Sequence, residues 1–184
     1  MEQIHILLVE DNDGDIMLTE EALQESGLPT VLSIARDGQE AIDFLNREGL
    51  HADSPTPSII LLDINLPKKN GHEVLNHIKN TPALKAIPVI ILTTSSSQND
   101  VNRAYAGYAN CYITKPVEVE DFQTVITTIR NFWSATARLP VYHGKTQEIV
   151  PGPVWRGEDS LPLFIVKFFH GVSGIQYVHV AIIL

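Results

Sequence analysis

Ser58-Ile59-Ile60-Leu61-Leu62-Asp63, continuing through Ile64-Asn65-Leu66-Pro67 to Gly71, is the stretch that decides the fold. The run from Ser58 to Leu62 leaves no polar face, so it predicts a strand central in a parallel sheet and covered on both sides. Asp63 then stands at the carboxyl edge of that sheet, where open α/β folds place their ligands. A single Asp after a strand is more often a turn former or a helix N-cap. Its meaning therefore depends on what else reaches the same edge.

Working outward, short apolar runs alternate with helical patterns, the signature of repeated βα units. The predicted strands are Ile4–Val9, Thr30–Ala35, Ser58–Leu62, Pro88–Leu92 and Ala109–Ile113. The clearest helix is the last, where Phe122, Val125, Ile126, Ile129, Phe132 and Trp133 form one apolar stripe. Such a stripe is core before it is anything else, aromatic pair included. Right-handed crossovers confine five units to few topologies, and a flavodoxin-like doubly wound sheet of order 2-1-3-4-5 with five helices is the common solution. In that order strands 1 and 3 are neighbours, and their exits share a crevice.

Those exits are Glu10-Asp11 and Asp63. Two charges ~4 Å apart repel by about 4 kcal/mol at an effective dielectric near 20, so a cation is expected among them. An open carboxylate cluster suits a hard, oxygen-liganded ion, and magnesium is the usual occupant. Capping of the helix that begins near Gly14 accounts for one or two of Asp11, Asn12 and Asp13, but not for their coincidence with Asp63. Strand 4 ends in Thr93-Thr94-Ser95 and strand 5 in Thr114-Lys115-Pro116. Taken singly, Lys115 is a solvated surface residue and Thr93 a turn former. Together, a carboxylate nucleophile, a divalent cation, an ammonium and a hydroxyl are the parts needed to move a phosphoryl group onto an aspartate.

At this point the chain resembles the receiver domain of two-component response regulators, over roughly residues 4–133. The resemblance is carried by Glu10-Asp11, Asp63-Ile-Asn-Leu-Pro67 with Gly71, Pro88-Val-Ile-Ile-Leu-Thr93 and Tyr112-Ile-Thr-Lys115-Pro116, each after its own strand. It implies that Asp63 accepts phosphate from a phosphohistidine of a sensor histidine kinase. It implies magnesium held by Asp11, Asp63 and the backbone carbonyl of Asn65, with Glu10 acting through coordinated water. Lys115 would contact the phosphoryl group, and Thr93 would be the hydroxyl that moves toward it. Tyr112 matches the family's switch aromatic, expected to turn inward once Thr93 vacates space beneath strand 5.

The wording of Leu61 to Gly71, with Leu92-Thr-Thr-Ser95, Asn110-Cys-Tyr112 and the long fifth helix ending in Asn131-Phe-Trp133, is similar to the stand-alone regulators paired with cyanobacterial and bacterial phytochrome kinases. That implies a phytochrome as partner and a homodimer through helix 4, strand 5 and helix 5, near Val101, Tyr105 and Tyr108. The competing enzyme reading is a haloacid-dehalogenase-type phosphatase. Asn65 disfavours it, because an amide cannot exchange the proton that a general acid and base must move. A flavodoxin-like cofactor binder fits the fold but not the negative charge where a flavin phosphate would lie. The expected role is thus a phosphoacceptor signalling protein that catalyses only its own phosphorylation and dephosphorylation.

Composition narrows the setting. The single cysteine, Cys111, excludes an intrachain disulfide, and no basic-then-apolar leader opens the chain, so cytoplasmic localisation is expected. Residues 1–134 carry 9 Lys/Arg against 19 Asp/Glu, a net −10, while residues 135–184 carry 4 against 3. Such an acidic body repels phosphate backbones, so direct DNA binding is not expected. The receiver domain is expected over residues 1–134 and a C-terminal extension over 135–184, with linker at Leu139-Pro140 and Val150–Pro153. Strands at Leu161–Phe169 and Ile175–Leu184 would flank His170–Gly174 as a hairpin, with no effector domain. Lys167, Gln176 and two histidines interrupt the apolar run, so a membrane span is a poor fit. His170 and His179 lack the companion spacing of metal ligands.

Overall fold

In the computed structural model, which describes residues 3–24 and 29–140, five strands form one parallel sheet. They are β1 (Ile4–Val9), β2 (Thr30–Ala35), β3 (Ile59–Leu62), β4 (Val89–Thr93) and β5 (Cys111–Thr114), in spatial order 2-1-3-4-5. Between and after them run α1 (Asp13–Gln24), α2 (Gly38–Asn46), α3 (Gly71–Asn80), α4 (Gln98–Ala106) and α5 (Val119–Asn131). The last helix winds on through a π turn, Phe132–Thr136, past the boundary expected at residue 134. The strands expected at Leu161–Phe169 and Ile175–Leu184 lie outside the described residues.

The uniform hydrophobicity of β3 has a direct cause. Ile60 and Leu62 point into one core with Leu7, Val9, Phe44, Leu75 and Ile78, beneath α2, α3 and α4. Ile59 and Leu61 point into the other with Ile6, Leu8, Ile16, Phe122 and Ile126, beneath α1 and α5. Both faces of the strand are dry, and each such side chain contributes about 1.5–3 kcal/mol by leaving water. Trp133 packs against the second core, and Phe132 meets it edge-on with ring centroids 5.3 Å apart. Cys111 is buried there too, and burial pushes its thiol up to about 11.

Strand starts shift by one or two residues from expectation, for local reasons. Pro88 has no N–H to give the ladder. Ala109 and Asn110 are taken by the end of α4: Tyr108 adopts φ 65°, the Ala109 N–H closes on the Ala104 carbonyl, and the Asn110 side chain accepts from the Val89 N–H. β5 therefore begins at Cys111. Of the apolar residues expected near the helix 4 face, Val101 and Tyr105 pack partly against the first core, whereas Tyr108 is 73% exposed.

Two details hold the loops at the sheet ends. At the carboxyl end, Asn70 caps α3 in a reciprocal box with Glu73, and the Gly71 N–H donates to the Ile64 carbonyl. A Cβ on Gly71 would lie 2.1 Å from the Asp63 carbonyl oxygen, which the backbone cannot yield. At the opposite end, the Lys79 ammonium donates to the Ile87 carbonyl at 2.8 Å and to Asn110 Oδ1 at 3.2 Å, and burial lowers its pKa to about 8.

Gly71→Ala is expected to lower the unfolding free energy by about 3 kcal/mol, read from urea denaturation, because overpacking here moves backbone rather than side chain. For Lys79 the folded pKa is depressed, so from about pH 8 up to the ordinary value of 10.5 the unfolded chain holds a proton that the folded chain has released. Stability attributable to Lys79 accordingly rises with pH through that window. Relative to Lys79→Met, the native protein should gain about 1–2 kcal/mol between the two limits, partial solvent exposure screening the rest.

Candidate functional site

The register of the sheet brings the site together. Val9 pairs with Leu62 and Thr93 with Thr114, so Glu10, Asp63 and Lys115 each follow the last residue of a strand at one edge. Backbone bonds continue the ladder just beyond: the Asp63 N–H donates to the Val9 carbonyl and the Lys115 N–H to the Thr93 carbonyl. Between the strands the Lys115 ammonium donates to Glu10 Oε2 at 2.6 Å, Asp63 Oδ2 at 2.8 Å and Asp15 Oδ2 at 2.8 Å. An ammonium has three N–H donors, and all three are used.

This cluster is buried: Glu10, Asp63 and Lys115 are 2%, 5% and 8% exposed. Burial by itself would lower the Lys115 pKa, but the bonds to Asp15, Asp63 and Glu10 outweigh it and hold it above the ordinary lysine value. Lys115 is therefore a permanent cation at neutral pH. Lys115 thus supplies one positive charge among the strand-exit carboxylates. Sequence reasoning assigned that lysine only to an incoming group, and it missed Asp15 altogether. The signal was available: the first turn of a helix that follows a strand lies over the sheet's carboxyl edge, and Asp15 is in the first turn of α1.

On the solvent side, Glu10, Asp11 and Asp63 each offer a carboxylate oxygen, all within 4.8 Å of one another. Asp11 is exposed, and Asn65 lies at the rim with its backbone N–H bonded to Asp63 Oδ1. Capping of α1 falls to Asn12, whose side chain accepts from the Asp15 N–H, which leaves Asp11 without that duty. An open cleft of about 420 Å³ covers Asp63, with Asn65 and Thr94 on its wall.

Thr93 and Tyr112 stand behind this cleft. Thr93 is fully buried and its Oγ1 accepts from the Ser95 N–H at 3.4 Å, so Thr94, the next residue, lines the opening instead. Tyr112 lies inward, 8% exposed, with its hydroxyl donating to the Ser95 carbonyl at 2.9 Å. In this conformation the ring already occupies the inward position expected of the switch aromatic. Ser95 also donates to Asp100 Oδ2 at 2.6 Å, and Asp100 faces the buried His72 ring at 3.3 Å. The Ser95 and His72 contacts hold the Asp100 carboxyl below its usual range. The β4–α4 loop is clasped from β5 and α4, with His72 of α3 behind Asp100.

The family described as the response regulator receiver domain matches residues 6–127. The chain belongs to the response regulator receiver family. It is 47% identical over 135 residues to response regulator Rcp1 of Synechocystis sp., covering 73% of this chain and 92% of the relative. It is 42% identical over 136 residues to the probable methanogenesis regulatory protein FilR2 of Methanothrix harundinacea, covering 73% and 86%. Among solved structures, the phosphorylated cyanobacterial phytochrome response regulator RcpA superposes with a TM-score of 0.74 at 45% identity, covering 76% of this chain and all of that one. The Mn(2+)-bound form of Rcp1 gives 0.73 at 46%, covering 75% and 99%. As a receiver domain the protein is the phosphoacceptor component of two-component signalling, and its partner class is the histidine kinase. Among the described residues no helix is long and apolar enough to cross a membrane.

Removing the ammonium of this receiver domain leaves buried carboxylates uncompensated. Lys115→Met should cost about 3 kcal/mol of stability at neutral pH. The loss should shrink as acid protonates the carboxylates and as a divalent cation is added, both measurable by thermal unfolding.

Proposed function

We propose that Asp63 is the phosphoacceptor and that the chain passes on the state of a sensor histidine kinase by conformational change and protein contacts. The observation that carries this is the Asp63 carboxylate itself: buried, bonded through one oxygen to Lys115 and through the other to the Asn65 N–H, and facing an open cleft. A carboxylate oxygen of Asp63 attacks the phosphorus of the kinase phosphohistidine, the P–N bond breaks, and the imidazole leaves with the electron pair and takes up a proton. The product is an acyl phosphate on Asp63. Lys115 already donates toward this oxygen and can follow it onto the phosphoryl group. Asn65 supplies an amide where a hydrolase would need an acid, so water attack is not assisted from that position and the acyl phosphate lasts long enough to signal.

The donor set fits a hard divalent ion, since three carboxylates of mixed exposure meet within one coordination sphere. Asp11, Asp63 and the Asn65 carbonyl would hold magnesium, with Glu10 acting through water, and the ion would supply charge stabilisation for the phosphoryl oxygens. Phosphorylation places roughly −1.5 to −2 charges at Asp63. Thr93 would then give up the Ser95 N–H and turn its hydroxyl toward the new oxygens. The rearrangement passes to the loop that Tyr112 clasps rather than to an inward swing of the ring.

The likeness to phytochrome response regulators supports a phytochrome as the cognate kinase. Tyr108, exposed beside α4, supports a homodimer through α4, β5 and α5. The receiver domain would occupy residues 1–134, with 135–184 following as an extension. The acidic body supports protein rather than DNA contacts, in the cytoplasm. Incubation with acetyl phosphate and magnesium, followed by intact-mass and peptide analysis, should label Asp63. Asp63→Asn should remain unlabelled; equal labelling of that variant, or no labelling of the native chain, overturns the assignment.

A further inference from the structure

We propose that Asp15 is a positioning residue of this site: it carries one of the three Lys115 N–H bonds, and so keeps that ammonium from settling wholly on Glu10 and Asp63, two members of the carboxylate set that receives the divalent ion. This rests on the cation-site reading given above. Glu10 and Asp63 are each already bonded on their second oxygen to a backbone N–H, of Asn12 and Asn65 respectively. Asp15 is held from elsewhere. Its N–H is capped by Asn12 and its carbonyl accepts from the Thr19 hydroxyl, so its carboxylate is fixed to α1 and pulls on Lys115 from the helix side of the cleft.

This is not an ordinary surface ion pair. Asp15 is 27% exposed at its side chain, but the ammonium it touches is only 4% exposed, so the bond is made to a buried charge. Nor is it a capping interaction, because Asn12 performs that role. Without the Asp15 carboxylate the same ammonium has two acceptors left. It then becomes the dedicated counter-ion of Glu10 and Asp63 and competes with a divalent cation for them. Asp13, on the same turn, makes the instructive contrast: it is 84% exposed, pairs with Arg36 and does not touch Lys115.

The test is Mn2+ binding to the full chain, followed by electron paramagnetic resonance of the free ion, without any phosphoryl donor. Asp15→Asn is expected to weaken binding about 5-fold, whereas Asp13→Asn, which removes the same charge without a Lys115 contact, should weaken it less than about 2-fold. In the Lys115→Met background the Asp15→Asn effect should fall below about 2-fold, because the residue through which it acts is gone. Equal losses for the Asp15 and Asp13 variants, or a full Asp15 effect persisting without Lys115, would reduce Asp15 to one more negative charge and overturn the proposal. Should Lys115→Met not fold, the comparison of Asp15→Asn with Asp13→Asn decides alone. A native chain that binds no Mn2+ overturns both this proposal and the cation site. One that binds with the expected pattern, yet is never labelled at Asp63, overturns only the phosphoacceptor reading.

Discussion

A single ammonium, Lys115, sits almost without solvent among Glu10, Asp15 and Asp63, and the arrangement of the whole carboxyl edge of the sheet depends on it. Two buried carboxylates at neighbouring strand ends would repel each other and resist desolvation, and neither penalty is met by the hydrophobic cores beneath. One cation with three donors offsets part of both, and burial still holds the Glu10 carboxyl above its usual pKa despite the Lys115 bond. The cation also leaves the edge poised, because each bond it makes is to an anion with a further use. The same group that stabilises the resting protein is the one placed to receive new negative charge at Asp63.

Everything that delivers Lys115 to this point is backbone geometry. The 2-1-3-4-5 order makes β1 and β3 neighbours, and β4 and β5 bring Thr93 and Lys115 in from the other side. Gly71 lets α3 begin against the Asp63 carbonyl, which pins the loop carrying Asn65. The Ser95 loop, clasped by Tyr112, Asp100 and Thr93, is the part of the edge whose contacts are side-chain hydrogen bonds rather than packed apolar surface. If Asp63 is the phosphoacceptor, the new charge would lie between packed backbone on the β1 and β3 side and a loop held by side-chain hydrogen bonds beyond β4. That asymmetry gives a local charge a direction in which to act.

Much of this was legible along the chain. The apolar run into Asp63, the alternation of strands and helices, and the residues at each strand exit follow from periodicity and from the rules that restrict right-handed βα crossovers. These are local or topological properties, so the amino-acid order determined them: the sheet order, the convergence of Glu10, Asp11, Asp63, Thr93 and Lys115 at one edge, and membership of a phosphoacceptor family. Even the small shifts at β4 and β5 trace to nearby residues, Pro88 and the αL Tyr108.

What only the tertiary structure decided is which side chains touch once they arrive. Lys115 bonds to residues 105, 100 and 52 positions away, and no local pattern distinguishes Asp15, which meets it, from Asp13, which turns to Arg36. The burial of Thr93 behind Thr94 and the inward seat of Tyr112 depend on the fit between β5, α4 and the loop that joins β4 to it. Hydrogen bonds have short reach and strict direction, so their pairing is set by the packed geometry of separate elements. Hydrophobic alternation acts on whole faces of strands and helices, and for that reason it could be read before any of them had packed.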